Sequence, residues 1–156
     1  MVLMCGLPGS GKTGYARGLE QQGYTRLSID EVIWQRIGHD AAELDPAEYD
    51  LLRAEAEAQL WLQLIALLRD RWPVVVDYSF ASRANRDRYR ALAVEHGCRC
   101  DLVYLKAELS TLRGRLAVRN EVVGPNSVTV SAELLDRYAA GFEQPFGEGE
   151  RVVIVT

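Results

Sequence analysis

The sequence predicts an α/β fold with a parallel sheet, and three observations carry the prediction. Short apolar runs of strand length recur along the chain, and segments with helical character lie between them. One run, Val74-Val75-Val76, is wholly β-branched, which is typical of a central parallel strand covered on both faces. The 156 residues are the length of one ordinary domain. We therefore expect a single domain over residues 1–156, with five parallel strands that alternate with helices.

Composition excludes several classes of protein. Hydrophobic residues make up 48% and charged residues 26%, which is typical of a soluble globular chain and not of a disordered one. The net charge of −4 argues against a non-specific nucleic-acid binder and against a membrane-surface protein. No apolar run reaches the roughly 18–20 residues that span a bilayer. Cys5, Cys98 and Cys100 are odd in number and lack metal-ligand spacing, so we expect a cytoplasmic chain with reduced thiols.

The first half of the chain is predicted to contain two strands and three helices. The first four elements are a strand at 2–5, a helix at 11–22, a strand at 24–29 and a short helix at 31–37. Gly23 ends the first of these helices, because glycine tolerates the left-handed conformation of a helix end. A long helix then begins at Asp45, an N-cap residue followed by Pro46 in the first turn, and runs to about residue 71.

The second half begins where Pro73 stops the long helix. Its predicted elements are a strand at 74–76, a helix at 83–96, a strand at 100–105, a helix at 108–118, a helix that ends near 142 and a strand at 152–155. Ser82 and Ser131 are the predicted N-caps of the first and the last of these helices. Residues 120–130 combine polar, turn-forming and β-type residues, so we expect a mobile excursion there, within a lid of about residues 119–131.

The most specific motif is the run Gly6-Leu7-Pro8-Gly9-Ser10-Gly11-Lys12-Thr13, which matches G-x-x-x-x-G-K-[ST] in full. Its glycines let the backbone curl around a phosphate, so that successive N–H groups and the following helix terminus point at the anion. Lys12 is placed to reach the β- and γ-phosphates of a nucleotide, and the Thr13 hydroxyl to bind Mg²⁺. The alternative is a glycine-rich turn with a chance match. The apolar strand before the run and the helix after it favour a phosphate-binding loop.

Two aspartates follow predicted strands, at the edge of the sheet where ligands of open α/β proteins bind. Asp30 follows the second strand and Asp77 follows the third. Asp77 suits a metal-binding role, and Asp30, across the cleft, suits a general base that takes the proton of an acceptor hydroxyl. The alternatives are that Asp30 caps a helix starting at Glu31 and that Asp77 belongs to a turn. The two aspartates could also exchange roles, and the sequence leaves that open.

Arginines of the helix after the fourth strand are candidates for transition-state stabilisation, because planar guanidinium groups match the charge that builds on phosphoryl oxygens. Arg119 directly precedes the flexible stretch, so a closing lid would carry it into the site. Arg115 lies four residues earlier and could stack on adenine, and the alternative for both is a solvated helix face. Arg83 and Arg86, after Asp77, could reach substrate or phosphate or form a charged helix face.

Aromatic residues are candidates for lining an acceptor pocket. Trp34, Tyr49 and Trp61 could do so between the short helix and the long one, with core packing as the alternative for Trp61. Tyr78 and Phe80 follow the third strand and could face the cleft.

These pieces together resemble the small P-loop kinases of the group that contains zeta toxins, chloramphenicol phosphotransferase, gluconate kinase and the kinase domain of phage-type polynucleotide kinase. The matching segments are 6–13, 28–30, 76–77, 115–120 and 131–145. The resemblance implies a three-layer P-loop NTPase fold, with helices on both faces of a five-stranded sheet in the order 2-3-1-4-5. It also implies that Asp30 is the acceptor-activating aspartate and that Arg119 is the lid arginine.

The residues and the resemblance lead us to expect ATP-dependent phosphoryl transfer, with Mg²⁺, to a hydroxyl of a small molecule such as an antibiotic or a metabolite. One alternative is a polynucleotide 5′-hydroxyl kinase, for which the arginines between residues 83 and 90 would supply part of a basic channel. Polynucleotide kinases usually carry an arginine three residues after the equivalent of Asp30, where this chain has Ile33, so a nucleic acid is the less expected acceptor. Another alternative is a nucleotide-dependent ATPase or switch protein without an acceptor.

Overall fold

The protein is built on one parallel sheet, seen in a computed structural model that describes residues 1–38, 40–122, 124 and 128–156. The strands are β1 (Val2–Cys5), β2 (Thr25–Leu27), β3 (Val74–Val76), β4 (Asp101–Ala107) and β5 (Arg151–Val155). They lie in the order β2-β3-β1-β4-β5, and neighbouring strands are parallel. The predicted fold class and strand order are confirmed.

Helices connect the strands. They are α1 (Lys12–Glu20), α2 (Ile29–Ile37), a 3-10 turn (Ala41–Glu43), α3 (Pro46–Arg69), α4 (Arg83–Glu95), α5 (Leu109–Arg119) and α6 (Ala132–Ala140). Asp45, Ser82 and Ser131 cap α3, α4 and α6 through their side-chain oxygens, as predicted. Ser28 caps α2 in the same way, so this helix begins earlier than the sequence indicated. Within the described ranges, no helix is long and apolar enough to cross a membrane.

The helices cover both faces of the sheet, because successive side chains of a strand point to opposite sides. On β1, Leu3 belongs to a core that includes Leu64 of α3. The next residue, Met4, belongs to a second core on the opposite face, together with Ala16 of α1. A third apolar cluster joins α5 to α6. Burial on both faces explains why the central strands are continuous apolar runs and not alternating ones.

The connection after β3 lies at the carboxyl end of the sheet, and a buried ion pair holds its conformation. Phe80 has a φ of 44°, a left-handed conformation that is strained in a non-glycine residue. Its carbonyl accepts a hydrogen bond of 2.8 Å from Nη1 of Arg86, whose side chain is 1% exposed. Arg86 forms a bidentate pair with Glu148 at 2.9 and 2.7 Å. The segment after α6 therefore stabilises the loop that follows β3.

Candidate active site

A cavity of about 450 Å³ opens at the carboxyl ends of the central strands. The loop between β1 and α1 lines one part of it, here called the loop end, and α3 and α6 line another part, here called the far end. The predicted site residues that line it are Leu7, Pro8, Gly9, Gly11, Lys12, Thr13, Asp30, Asp77, Arg115 and Arg119. Gly6 and Ser10, the remaining residues of the predicted phosphate-binding loop, are buried beneath its surface. The fold thus gathers these residues around one cavity.

The loop over residues 6–13 has backbone conformations that glycine adopts far more easily than other residues. Gly6 has a φ of 145° and Gly9 a φ of 82°. A Cβ atom on Gly6 would lie 2.7 Å from the carbonyl oxygen of Leu105, and one on Gly9 would lie 3.1 Å from Cγ of Leu116. The curl of the loop therefore depends on the absence of side chains at these two positions. The hydroxyl of Ser10, beneath the loop, is buried without a hydrogen-bond partner among the described residues.

Helix α1 begins without a side-chain cap, in contrast to α2, α3, α4 and α6. Gly11 is its N-cap, and no acidic residue lies in its first turn. The first N–H groups of a helix have no intrahelical acceptor and carry the positive end of the helix dipole. Because this end opens on the cavity, it is suited to bind an anion such as a phosphate.

Lys12 lies in the first turn of α1, and its side chain folds back over the loop. Its Nζ donates a hydrogen bond of 3.0 Å to the carbonyl oxygen of Leu7. Burial lowers the pKa of Lys12, whereas the carboxylates of Asp77 and Asp30 act in the opposite direction. The ammonium group and both carboxylates therefore interact within the same cavity.

Asp77 is a buried carboxylate held by an ion pair that the sequence did not predict. Nη1 of Arg26, on β2, donates to Oδ2 of Asp77 at 2.8 Å, and the two side chains are 2% and 3% exposed. Arg26 also pairs with Glu31 of α2 and, at 3.6 Å, with Glu20 of α1. Asp77 lines the cavity, so it is not a solvated turn residue. In the sequence, the only sign of this network is Arg26, a charged residue inside the short strand β2.

Asp30 lies in the first turn of α2 and lines the cavity. The N-cap of α2 is Ser28, whose Oγ accepts a hydrogen bond of 3.4 Å from the N–H of Glu31. The interpretation of Asp30 as an N-cap is therefore wrong. Ser28 takes that role, which leaves the Asp30 carboxylate available to the cavity.

The electrostatic surroundings of Asp30 depend on whether the cavity is filled. The surrounding protein and the Asp77 carboxylate raise the pKa of Asp30, while Lys12, Arg53 and Arg119 act in the opposite direction. Asp30 is exposed to solvent in the open cleft. Desolvation therefore acts on it in full only when a ligand displaces that solvent.

Arg119 ends α5 and reaches the cavity from the side of the predicted lid. Its Nη2 donates to the carbonyl oxygen of Val128 at 2.8 Å, and its Nε is buried without a hydrogen-bond partner in the part of the chain that the structure describes. The next residue of that segment, Thr129, donates from Oγ1 to Oδ2 of Asp40 at 2.6 Å. The predicted excursion at 120–130 includes residues 123 and 125–127, which lie outside the described residues. Its described return, 128–130, lies against the connection between α2 and α3.

Arg115 stands over the phosphate-binding loop. It is exposed, and its Nη1 lies 3.8 Å from the position that a Cβ atom on Gly11 would take. Its Nη2 donates to the carbonyl oxygen of Thr156 at 2.9 Å. Arg115 therefore lies at the loop end of the cavity, away from α3.

The far end of the cavity is formed by Tyr49 and Arg53 of α3 and by Arg137 and Tyr138 of α6. Of these four residues, only Tyr49 was predicted from the sequence. Arg53 follows Tyr49 by four residues, so both lie on the same face of α3. Burial, with a contribution from Asp30, raises the pKa of Tyr49 to about 12, and its hydroxyl therefore keeps its proton at neutral pH.

The arginines of α4 do not form the basic channel that a polynucleotide acceptor would favour. Arg86 and Arg90 both bind Glu148, at 2.7 and 2.9 Å. Arg83 pairs with an aspartate of the same helix, and Arg88 stacks on a tryptophan of α3 and pairs with a glutamate there. The sequence left two alternatives open for Arg83 and Arg86, and the structure does not support contact with substrate, because neither lines the cavity. Among the aromatic candidates, Tyr78 lines it, but Trp34, Trp61 and Phe80 do not.

Oxygen ligands suitable for Mg²⁺ are present in the Thr13 hydroxyl and the Asp77 carboxylate, which both line the cavity. In the described part of the chain, no group of three or more His, Cys, Asp or Glu residues could hold a metal ion. This donor set fits Mg²⁺, which in phosphoryl-transfer sites takes few protein ligands and completes its shell with phosphate and water.

The cavity, its P-loop and the strand order define a P-loop protein with a kinase-like fold. Residues 1–145 match the family model described as an AAA domain, and the chain belongs to that family. No curated protein sequence matches the chain significantly.

Several solved structures share the fold at low sequence identity. A candidate kinase of Chloroflexus aurantiacus J-10-fl superposes with a TM-score of 0.74 at 18% identity, over 99% of this chain and 82% of that one. A gluconokinase of Sinorhizobium meliloti 1021 superposes with a TM-score of 0.63 at 23% identity, over 99% of this chain and 81% of the gluconokinase. Kti12 of Chaetomium thermophilum, in complex with ADP-AlF3, superposes with a TM-score of 0.61 at 12% identity, over 99% of this chain and 87% of Kti12.

Proposed function

We propose that the protein is an ATP-dependent phosphotransferase that moves the γ-phosphoryl group to a hydroxyl of a small-molecule acceptor. One observation carries the proposal: a single cavity holds a P-loop at one end and, beyond it, the Asp30 carboxylate, which has no hydrogen-bond or ion-pair partner among the described residues. A P-loop alone supports nucleotide binding. A free carboxylate that shares its cavity adds a group able to activate an acceptor. The kinases among the similar structures support the same class of reaction.

In this proposal, the nucleotide binds at the loop over residues 6–13 and at the start of α1. The backbone N–H groups of residues 6–13 and the uncapped start of α1 would hold the phosphates, with the Lys12 ammonium beside the β- and γ-phosphates. Arg115, which lies beside the loop and is exposed to solvent, would contact the nucleotide from the solvent side of the loop. Mg²⁺, bound with Thr13 and Asp77, would supply charge neutralisation at the phosphates. The complex of Kti12 with ADP-AlF3 supports nucleotide binding by this fold.

In the transfer step, the acceptor oxygen forms a bond to the γ-phosphorus as the bond to the bridging oxygen of ADP breaks. The electron pair of the broken bond leaves with ADP, and the proton of the acceptor hydroxyl passes to Asp30. In a loose transition state, Asp30 orients the hydroxyl as much as it removes the proton. Arg119 would stabilise the charge on the transferring oxygens, for which its partner-free Nε is a suitable donor.

The contacts of the two aspartates favour Asp30 as the base and Asp77 as the metal ligand. Arg26 holds Asp77 in an ion pair, which fixes the position of its carboxylate. A carboxylate held in one place suits the coordination of a cation better than it suits a proton that must be taken and released. Asp30 has no comparable partner, and its pKa is raised, which makes it the better proton acceptor.

The test is to incubate the protein with γ-labelled ATP and Mg²⁺ and to measure transfer and hydrolysis separately. The acceptor panel contains neutral sugars and polyols, hydroxy acids, sugar phosphates and an oligonucleotide with a 5′ hydroxyl. We expect a labelled small-molecule product that Asp30→Asn abolishes while nucleotide binding is retained. Asp50→Asn, an exposed aspartate of α3 that does not line the cavity, is the matched control.

Two results would contradict the proposal. Label transferred only to the oligonucleotide would identify a polynucleotide kinase. Label released only as inorganic phosphate, at a rate that Asp30→Asn leaves unchanged, would identify an ATPase or switch protein that uses no acceptor.

A further inference from the structure

The far end of the cavity carries positive charge that the fold itself does not use. Most arginine side chains in the described ranges donate a hydrogen bond or form an ion pair within the protein. Arg53 and Arg137 do neither, and both line the cavity. Arg151, on the edge strand β5, is the other arginine of this kind, and it lies outside the cavity. The absence of internal partners at this one place indicates that the partner is a ligand.

The nucleotide does not account for these two arginines. In the proposed function, Lys12, Arg115 and Arg119 serve the phosphates of ATP from the loop end and the lid side of the cavity. Arg53 and Arg137 lie on α3 and α6, which line the far end of the cavity. The cavity is lined by five cationic and two anionic side chains, although the chain as a whole has a net charge of −4. The excess of positive charge is therefore local, and Arg53 and Arg137 are not among the groups that we assign to the nucleotide.

The two helices present similar groups to the cavity. Tyr49 and Arg53 share a face of α3, and Arg137 and Tyr138 are neighbours on α6. All four residues line the same cavity. Each helix therefore supplies one guanidinium group and one phenol hydroxyl.

From this arrangement we propose that the acceptor carries an anionic oxyacid group, either a phosphate monoester or a carboxylate, in addition to the hydroxyl that is phosphorylated. Arg53 and Arg137 bind the anionic group from opposite sides, because planar guanidinium groups match the oxygens of such anions in bidentate geometry. The Tyr49 hydroxyl, protonated at neutral pH, donates to the same group. The inference rests on the proposed function, since it assigns the acceptor's reactive hydroxyl to Asp30.

Arg53 has a second effect, because it also acts on Asp30. Its charge lowers the pKa of that carboxyl, against the effects of burial and of Asp77. An anionic acceptor would repel the Asp30 carboxylate if it brought its charge into the cavity alone. Arg53, placed to interact with both, offsets this repulsion and allows the hydroxyl end of the acceptor to approach the base.

The first experiment measures binding and needs no turnover. The protein is loaded with Mg²⁺ and a non-hydrolysable ATP analogue, which fills the P-loop, and is titrated by calorimetry with two matched series. One series is glycerol, glycerate and glycerol 3-phosphate, and the other is glucose, gluconate and glucose 6-phosphate. We expect the anionic members of at least one series to bind roughly tenfold or more tightly than the neutral parent. Comparison of the carboxylate with the phosphate member distinguishes the two kinds of anion.

The second experiment uses substitutions to test whether the anionic compound binds to the arginines of α3 and α6. Arg53→Gln and Arg137→Gln should each weaken binding of the anionic compound by roughly tenfold to a hundredfold, with unchanged affinity for the ATP analogue. Arg53→Lys should retain part of the affinity, because it keeps the charge and loses the planar fork. Arg69→Gln is the matched control, since this arginine lies on α3, is largely exposed and does not line the cavity. Both cavity arginines are exposed, so their substitution should leave the melting temperature unchanged.

The outcomes separate this inference from the proposed function. Neutral compounds that bind as tightly as the anionic ones, or Arg53→Gln and Arg137→Gln variants that behave like Arg69→Gln, would overturn the anionic-acceptor inference. Transfer of label to a neutral compound, unaffected by both substitutions, would overturn it and leave the phosphotransferase proposal in place. Anion binding that both substitutions abolish, without transfer to any compound in the panel, would support the anion site and contradict the phosphotransferase proposal.

Discussion

The two ends of the cavity differ in the kind of group that each offers to the ligand proposed for it. At the loop end, the groups that face a phosphate are mainly backbone N–H groups and a helix terminus, shaped by glycines and anchored by the sheet. At the far end, the groups are side chains of α3 and α6, and two of them, Arg53 and Arg137, are exposed and have no hydrogen-bond or ion-pair partner among the described residues. Single substitutions outside the glycines of the loop leave the backbone N–H groups of such a site in place, whereas one or two substitutions can change the ligand that a side-chain site binds. The comparison teaches that one protein of this design can keep its nucleotide while its acceptor is altered.

Lys12→Ala should have the largest effect, because Lys12 is the charged side chain of the phosphate-binding loop itself and lies in the first turn of α1. We expect transfer to fall by roughly 10⁴-fold or more, with an intact fold. The measurement is single-turnover transfer of labelled phosphate, with circular dichroism to check folding. Unchanged Mg·ATP affinity together with full activity would show that the backbone binds the phosphates without Lys12, and that Lys12 contributes neither to nucleotide binding nor to transfer.

Asp30→Asn tests whether the Asp30 carboxylate, which we place between the nucleotide and the acceptor, acts as the general base. Asn keeps the size and part of the hydrogen bonding of Asp but loses the basicity, so we expect a loss of transfer of roughly 10²–10⁴-fold. Nucleotide affinity and melting temperature should change little, because Asp30 is neither the cap of α2 nor part of an ion pair. An Asp30→Asn enzyme with wild-type kcat would reject the base assignment and direct attention to Asp77.

Arg119→Ala should lower kcat by roughly 10²-fold with a smaller change in nucleotide affinity, because we expect its guanidinium group to act mainly in the transition state. Arg113→Ala is the control on the same helix, since Arg113 forms only a half-exposed pair with Asp136. Steady-state kinetics with varied ATP separates the effect on kcat from that on KM. Equal kcat values in the two variants would contradict a role for Arg119 in the transition state.

Gly6→Ala sharpens the comparison, because it removes no functional group and alters only the backbone. The added Cβ would lie 2.7 Å from the carbonyl oxygen of Leu105, so the loop must shift. We expect nucleotide affinity to fall by roughly tenfold or more, as measured by calorimetry. Gly18→Ala, within α1 and without a neighbour inside 4 Å of its Cβ position, should leave the affinity unchanged. Equal affinities in both variants would contradict a backbone-shaped site.

Glu148→Gln should have the smallest effect on transfer at neutral pH but a large effect on stability. It leaves the buried Arg86 without a charged partner, which costs roughly 3–5 kcal/mol. The hydrogen bonds from Arg86 lower the pKa of Glu148 from 4.5 to about 2. The folded pKa lies below the unfolded one, so the stabilisation is complete above about pH 4.5 and is lost as the pH falls toward about 2. Denaturant titrations over this range should show a weaker pH dependence in Glu148→Gln than in the control Glu95→Gln.

The loop end was predictable because its determinants are contiguous. Residues 6–13 carry the whole signal, and Asp30 and Asp77 follow recognisable strands. The capping of α2 was harder, because Ser28 and Asp30 are both good cap residues and only the backbone distinguishes them. Arg86 could not be placed from the sequence, since its partner Glu148 lies 62 residues away. For the same reason, Arg53 and Arg137 could be recognised only after the fold had brought α3 and α6 to one cavity.

The ion pair between Arg86 and Glu148 also sets the order in which the molecule can mature during synthesis. At about 5–20 residues per second, a ribosome adds Glu148 roughly 3–12 s after Arg86, a separation that follows from their 62-residue spacing. Until then the guanidinium group that holds the carbonyl of Phe80 has no carboxylate, although β1, the P-loop and Asp77 have already been made. The residues of the phosphate-binding loop are therefore synthesised well before the connection after β3, to which the N–H of Gly6 donates through Ser79, can be held in place. Complete assembly of the cleft must wait for the last part of the chain.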